Sequence, residues 1–259
     1  MKKNTLFLIL LLCAMLLCPM ISAFSYEDED LRKLEQRGDC SGCDFRRADL
    51  RKARLRNADL RGSDFSNANL READLEGAYL KGAILRGADL QKTILRKAYL
   101  QGAFLYGSNL QEAVLAGADL FQAMIQGSDL RKADLQGANL EGASLMNAKL
   151  GGADLRKACL RNAELINADL SGADLSGADL NAANLLKANF EGAVLRGADF
   201  YKARFKVNYT PPPNTDNTSV FPKDWQSEDM SFFKDADLEG AIWVNGAKCG
   251  KGSIGKCIQ

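Results

Sequence analysis

The sequence contains no histidine. Histidine is the usual general base near neutral pH and a common zinc ligand, so its absence excludes Ser-His triads and most zinc hydrolase sites. Charge of one sign is also not in excess, because 34 lysines and arginines oppose 33 aspartates and glutamates. The molecule therefore has no strong field of one sign. We expect a protein that is not an enzyme and needs no cofactor.

Neither the helical nor the strand period of hydrophobic residues is present; a period of five replaces them. From Phe45 to Phe205 every fifth residue is apolar, and 27 of these 33 residues are leucine. Two positions earlier lies a small residue, alanine in 28 units. Aspartate or asparagine usually lies between the two, and glycine is frequent two positions after the leucine. A short fixed period of this kind indicates a solenoid.

A period of five requires a corner in every unit. On a helix such leucines would spiral around the surface, and on a plain strand they would alternate between faces. With one corner per unit, the leucine and the small residue both point inward. Four corners then close a square coil of 20 residues, and coils stack at about 4.8 Å with paired backbones. The columns of leucine and alanine fill the interior, so no small-molecule substrate is expected.

The repeated pattern A-(D/N)-L-x-x over residues 43–205 resembles that of the pentapeptide-repeat family. The resemblance implies an all-β fold, a right-handed quadrilateral β-helix (solenoid). The 33 units would form about eight coils and a rod roughly 40 Å long.

The N-terminal residues favour export. Residues 1–25 have two lysines, an apolar run and small residues near their end, which is typical of a signal peptide cleaved after Ser25 or Ala23. The protein would then be periplasmic or secreted. The alternative is an uncleaved segment that anchors it in a membrane, since the apolar run approaches spanning length.

Further segments precede and follow the repeat region. Residues 26–39 read as a short helix that caps the first coil of the repeat region 40–206. Residues 207–230, rich in proline, asparagine and threonine, predict a loop excursion. In 231–259 the pattern returns, with Phe233, Leu238 and Trp243 inward, and ends in a C-terminal cap that resembles an element of some secreted family members.

Five cysteines lie beyond the apolar N-terminus. In an oxidising compartment Cys40 would pair with Cys43, and Cys249 with Cys257, which would close the C-terminal cap. Free thiols and a zinc site built from these four cysteines are the alternatives; the rod opposes zinc because it separates the pairs by about 40 Å. Cys159 occupies an outward position and is expected to be an exposed lone thiol.

One group of outward positions is apolar where aspartate or asparagine is usual. Sorted by the 20-residue coil, these residues predict stacks on three faces and a partner surface. The alternative is a half-exposed position that tolerates β-forming residues. The residues are Tyr79, Ile84, Ile94, Tyr99, Phe104, Val114 and Met124. The first coils are instead rich in arginine, which would be a solvated face or a site for an anionic partner such as lipid headgroups.

These features favour a non-enzymatic exported scaffold that mediates protein–protein or envelope interactions through an unidentified partner. The alternative is a purely structural rod that associates with itself, as a homo-oligomer. The family resemblance also implies a third possibility, a DNA mimic that modulates a topoisomerase. Charge opposes it, since removing Lys2 and Lys3 leaves a net charge of −1, whereas DNA mimicry needs a large negative field. No nucleic-acid partner is expected.

Overall fold

The computed structural model of the chain describes residues 39–205, 233–243 and 246–253, together with Asp30, Lys33 and Leu34. The proposed signal peptide 1–25, the excursion 207–230 and Cys257 lie outside the described residues. No helix in the part of the chain that the structure describes is long and apolar enough to cross a membrane.

The repeat region is a four-sided solenoid with a filled interior. The inward residues form four columns with a period of 20 residues, and nearly all of their leucines and alanines are at most 1% exposed. We number the four faces by these columns: face 1 runs from Phe45 to Phe205, face 2 from Leu50 to Phe190, face 3 from Leu55 to Leu195 and face 4 from Leu60 to Phe200. Faces 1 and 3 are opposite, and face 4 joins face 1 at a corner.

The strands are reduced to single bridge residues. The outward residue before each inward residue pairs in parallel with the residue 20 positions later, from Asp44 with Asp64 to Asn184 with Arg204. Asp74, for example, donates its N–H to the carbonyl of Ala53 at 2.8 Å and accepts one from Leu55 at 2.7 Å. No longer strand occurs within the described residues. The coils therefore stack through a continuous backbone ladder.

Each corner is a tight turn that requires a positive φ. The N–H of Ala58 bonds to the carbonyl of Leu55 at 3.2 Å, and Asn57 between them has φ of 56°. A positive φ at this position fits a type II β-turn. All 33 corners from Gly42 to Lys202 share this φ, and the structure places lysine, asparagine and glutamate there as well as glycine.

The aspartates and asparagines on the outer surface support these corners. The carboxylate of Asp174 accepts the backbone N–H of Ser176 at 2.9 Å, which forms an Asx-turn. Between coils, the amide of Asn109 donates to Asp89 at 3.2 Å. The pattern of Asp or Asn before each leucine therefore has a structural cause.

At its N-terminal end the solenoid is closed by two aspartates. Asp30, Lys33 and Leu34 have helical backbone, and the side chains of Asp30 and Leu34 are buried. Asp30 accepts the N–H of Asp44 at 2.9 Å, and Asp39 accepts that of Asp59 at 2.8 Å. These side chains occupy positions that a preceding coil would otherwise fill, so the open edge is protected.

At the other end, one more partial coil and a reversed segment cover the solenoid. Asp237 and Ile242 bridge in parallel to Val194 and Asp199, so Leu238 and Trp243 extend the columns of faces 3 and 4. Phe233 stacks on Phe190 of face 2 with ring centroids 5.2 Å apart. The chain then reverses and pairs antiparallel, with the N–H of Leu238 bonded to the carbonyl of Ser253 at 2.7 Å.

Candidate interaction surface

The seven apolar outward residues lie in three columns at a common height of the rod. Ile84, Phe104 and Met124 form successive bridges on face 1, which is one of the predicted stacks. Tyr79 and Tyr99 stack on face 4 with ring centroids 5.0 Å apart and planes 4° apart.

Ile94 and Val114 pair on face 3. Because face 3 is opposite face 1, this pair lies on the other side of the rod from the face 1 column. The structure therefore brings five of the seven residues together on the adjoining faces 4 and 1, and leaves two apart.

Exposure differs between these columns. Tyr79 and Tyr99 are 45% and 43% exposed, whereas Ile84, Phe104 and Met124 are half-buried between neighbouring coils. The same position is half-buried in most other coils, where it holds aspartate or asparagine. An apolar residue at this position alone is therefore weak evidence of a binding site, and the neighbouring residues decide whether the surface is apolar.

A second apolar column runs beside the first on face 1, at the position that follows each inward residue. This column has the same period of 20 in the sequence but lies outside the position before the leucine, where the apolar residues were predicted to stack. Its apolar members Tyr106, Met146, Ile166 and Leu186, and the polar Gln126 between the first two, are half-buried.

The two columns on face 1 contact each other directly. The Tyr106 ring lies 6.4 Å from that of Phe104, and its hydroxyl contacts the sulfur of Met124. The guanidinium of Arg86 lies 5.5 Å from the Tyr106 ring and covers its lower side. On the adjoining edge of face 4, Phe121 is 37% exposed.

We call the combined surface on faces 4 and 1 the apolar belt. It consists of Tyr79, Ile84, Tyr99, Phe104, Tyr106, Phe121, Met124, Met146, Ile166 and Leu186.

The corners beside the centre of the belt carry no side chains. Gly87, Gly107 and Gly127 follow face 1 at this height, and Gly82 and Gly102 precede it. A Cβ atom at Gly107 or Gly127 would meet nothing within 4 Å. Elsewhere the corner after face 1 holds asparagine, lysine or arginine, although glycine adopts the positive φ at the lowest cost. The middle of face 1 is therefore open to a flat partner.

The arginine-rich first coils are largely neutralised by their own aspartates. Arg46, Arg51 and Arg61 each bind the aspartate two residues earlier at 2.5 to 2.6 Å. These hydrogen bonds hold the pKa of Asp44, Asp49 and Asp59 below the ordinary carboxyl value. The pairing does not favour a site for an anionic partner.

The first two cysteines of the described residues are paired. Cys40 and Cys43 form a disulfide with Cα atoms 5.5 Å apart, beside the carboxylate of Asp30. With both sulfurs joined, this trio offers no thiolate to a metal.

Cys249 is buried and disulfide-bonded, while its predicted partner Cys257 lies outside the described residues, so that pairing stays a prediction. Cys159 on face 4 is a free thiol but half-buried, less exposed than expected.

One solved structure shares this fold. The plasmid-mediated fluoroquinolone resistance protein QnrB1, in a trypsin-treated variant, aligns with a TM-score of 0.57 at 20% identity, over 60% of this chain and 80% of its own. HetL, involved in heterocyst differentiation regulation in the cyanobacterium Nostoc sp. PCC 7120, is 32% identical over 84% of this chain and 97% of its own, with a TM-score of 0.27.

A pentapeptide repeat protein from the Arabidopsis thaliana thylakoid lumen is 35% identical over 39% of this chain and 70% of its own, with a TM-score of 0.38. Among curated proteins none matches this sequence. The family described as pentapeptide repeats matches 8 copies within residues 39–77, 73–111, 105–137, 125–162 and 173–206. These matches cover more than half of the sequence, and the chain therefore belongs to the pentapeptide repeat family, whose members fold as right-handed quadrilateral β-helices.

Proposed function

We propose that this chain is a non-enzymatic repeat scaffold that binds a protein partner through the apolar belt. One observation carries the proposal: three of the four large hydrophobic side chains exposed within the described residues, Tyr79, Tyr99 and Phe121, belong to the belt. Grouped exposed apolar side chains are typical of protein interaction sites. The flat, glycine-edged middle of face 1 supports a partner that approaches closely.

The non-enzymatic part of the proposal is supported by where the polar groups are. The carboxylates on the outer surface bind backbone N–H groups, arginines or neighbouring amides, as Asp154 does with Arg156. The inward polar residues are bonded to the backbone, as Thr93 is to the carbonyl of Leu70 at 2.7 Å. Such groups maintain the fold and are not arranged around a pocket for a substrate.

We further infer that the scaffold acts outside the cytoplasm. The composition of residues 1–25 supports export, and the disulfide between Cys40 and Cys43 suits an oxidising compartment. Cell fractionation with mass spectrometry of the N-terminus tests this inference. A chain beginning at Phe24 or Tyr26 in the exported fraction is expected, whereas an intact N-terminus in the cytoplasm contradicts it.

Crosslinking in the native host tests the binding role. The double variant Ile84→Asp/Phe104→Asp places two charges on the belt, and Ile94→Asp/Val114→Asp places the same charges at the same height on the opposite face. We expect the first variant to lose the crosslinked partner and the second to retain it. Equal capture by both folded variants contradicts the proposal.

A further inference from the structure

Face 1 has a polar group at its centre whose bonding is incomplete. Gln126 lies in the second apolar column, between Tyr106 and Met146 in the coils on either side. Its Oε1 is shielded from solvent and accepts no hydrogen bond, which is true of no other shielded side-chain oxygen or nitrogen among the described residues. A buried acceptor without a donor loses the hydrogen bond that it would make to water and is therefore unfavourable. Because the residue as a whole is half-buried, its amide can turn outward toward a partner.

Gln126 also occupies the middle of the face. The bridges of face 1 run from Asp44 to Arg204, and Met124 in the same coil as Gln126 is four coils from each. Consider a two-fold axis at the height of this coil that is perpendicular to the long axis of the rod and lies in the plane between two packed faces. It would place face 1 of a second copy on face 1 of the first, with the two rods running in opposite directions. A carboxamide on such an axis is self-complementary, since each copy donates one N–H and accepts another.

Resting on the proposed function above, we propose that the partner of face 1 is a second copy of this chain. The two rods pack antiparallel, face 1 on face 1, with Gln126 paired with Gln126 of the other copy on the two-fold axis.

Charge complementarity supports the antiparallel direction. The rotation brings Arg86, two coils below the axis, to the height of Glu164 of the other copy, two coils above it and one column to the side. Within its own copy Glu164 also contacts Asn184 at 2.7 Å and Arg204 at 3.8 Å. A parallel pair would instead bring Glu164 to the height of Glu164, where like charges repel.

Shape complementarity supports the same arrangement. Across the axis, Tyr106 lies opposite Met146 and Phe104 opposite Ser144, so large side chains meet flexible or small ones. At the corner that follows face 1, Asn147 lies opposite Gly107 of the other copy, where an added Cβ would meet nothing within 4 Å. The side chain that projects there on the upper half of the face therefore meets an open corner on the lower half.

The area is sufficient for a specific dimer. Nine bridged residues at the β spacing give a face roughly 40 Å long, and a width of roughly 15 Å with side chains gives about 600 Å² per copy. The total of about 1,200 Å² is at the lower bound of specific interfaces.

Sedimentation velocity of the purified full chain over a concentration series tests the proposal. We expect a reversible dimer. Arg86→Glu alone and Glu164→Arg alone should each raise the dimer dissociation constant at least roughly tenfold, because like charges then lie at the same height in neighbouring columns. The two changes in one chain should restore it. A monomer throughout, or a dimer insensitive to both single changes, overturns the proposal.

Site-directed crosslinking tests the axis itself in a Cys159→Ser background. Gln126→Cys should form a disulfide-linked dimer under mild oxidation, whereas Gln136→Cys, exposed on face 3, should not. Linkage through position 136 instead of 126 overturns the proposal. Circular dichroism of each variant establishes that it is folded.

Different outcomes contradict the scaffold function and the second copy as its partner. If the chain is monomeric while the belt variants lose a different captured protein, the scaffold function stands and the second copy is wrong. If face 1 dimerises and the host yields no other crosslinked protein that depends on the belt, the second copy is the partner and a scaffold role toward other proteins is wrong.

Discussion

The carboxylate of Asp30 accepts a hydrogen bond from the backbone N–H of Asp44 at 2.9 Å. In the next coil the equivalent N–H, that of Asp64, bonds to the carbonyl of Cys43 at the same distance. The side chain of Asp30 thus replaces a missing coil. Solenoids need such caps, because an unpaired end is a template for association with other chains.

Removing this cap should destabilise the first coil. Asp30→Ala leaves the N–H of Asp44 without its acceptor, and we expect the free energy of unfolding to fall by about 1–3 kcal/mol. Asp30→Asn keeps an acceptor oxygen and should lose less. Urea unfolding followed by circular dichroism measures both, and identical midpoints for the alanine variant and the unchanged chain would contradict this role.

The positive φ at the corners predicts that one substitution stabilises the fold. Ala182 has φ of 58°, a conformation that costs residues with a Cβ about 1–2 kcal/mol. Ala182→Gly should therefore raise the free energy of unfolding by about 1 kcal/mol or somewhat less, because glycine is also more flexible when unfolded. Ala183→Gly is the matched control: Ala183 is buried and inward, so its loss should destabilise. Equal effects of the two changes would show that the corner is not strained.

The filled interior predicts intolerance of larger side chains. Ala138 is fully buried in the column of small residues, and Ala138→Leu should lower the free energy of unfolding by about 1–3 kcal/mol through overpacking. Ser128→Ala restores the usual small residue, and the Leu105 carbonyl that Ser128 binds still accepts the Ser108 hydroxyl at 2.8 Å. It should have little effect. Tolerance of the leucine would reveal free space in the core.

Acid should weaken the solenoid through its paired aspartates. Hydrogen bonds from Arg131 and Arg156 hold the pKa of Asp129 and Asp154 below the ordinary carboxyl value. Because the folded pKa is the lower one, this stabilisation is complete above about pH 4 and is lost as pH falls through the lowered values. Both pairs are at the surface, so the effect should be small.

The double variant Arg131→Gln/Arg156→Gln tests this linkage. Its thermal midpoint should decline less steeply below about pH 4 than that of the unchanged chain, since the folded and unfolded pKa values become more similar. Parallel curves for the two proteins would contradict the assigned cause.

The inward columns could be predicted from the sequence because the interior admits one arrangement. Leucine and alanine recur without interruption, and the register of 20 follows from four corners, as the bridges from Ile84 to Phe104 and Met124 show. The details at the ends could not be predicted in the same way. The bonds of Asp30 and Asp39 to the first coil join segments whose relation depends on how the chain enters the solenoid.

The binding surface could be predicted less well than the core, for a physical reason. The position before each leucine is half-buried and bonded across coils, so its residue type depends on packing as well as on binding. The column from Tyr106 to Leu186 has the same period but occupies a position where most residues are tolerated. Only the folded arrangement shows that it adjoins Phe104 and Met124.

The apolar belt is the surface that we propose to be in contact with a partner. Hydroxyl-radical footprinting can compare its exposure in intact host cells with that in the purified, diluted chain. Met124, Met146 and Tyr99 should be labelled less in the cells, whereas Tyr201, exposed near the upper end of face 4, should be labelled equally. Equal labelling of all four residues in both samples would contradict contact through the apolar belt.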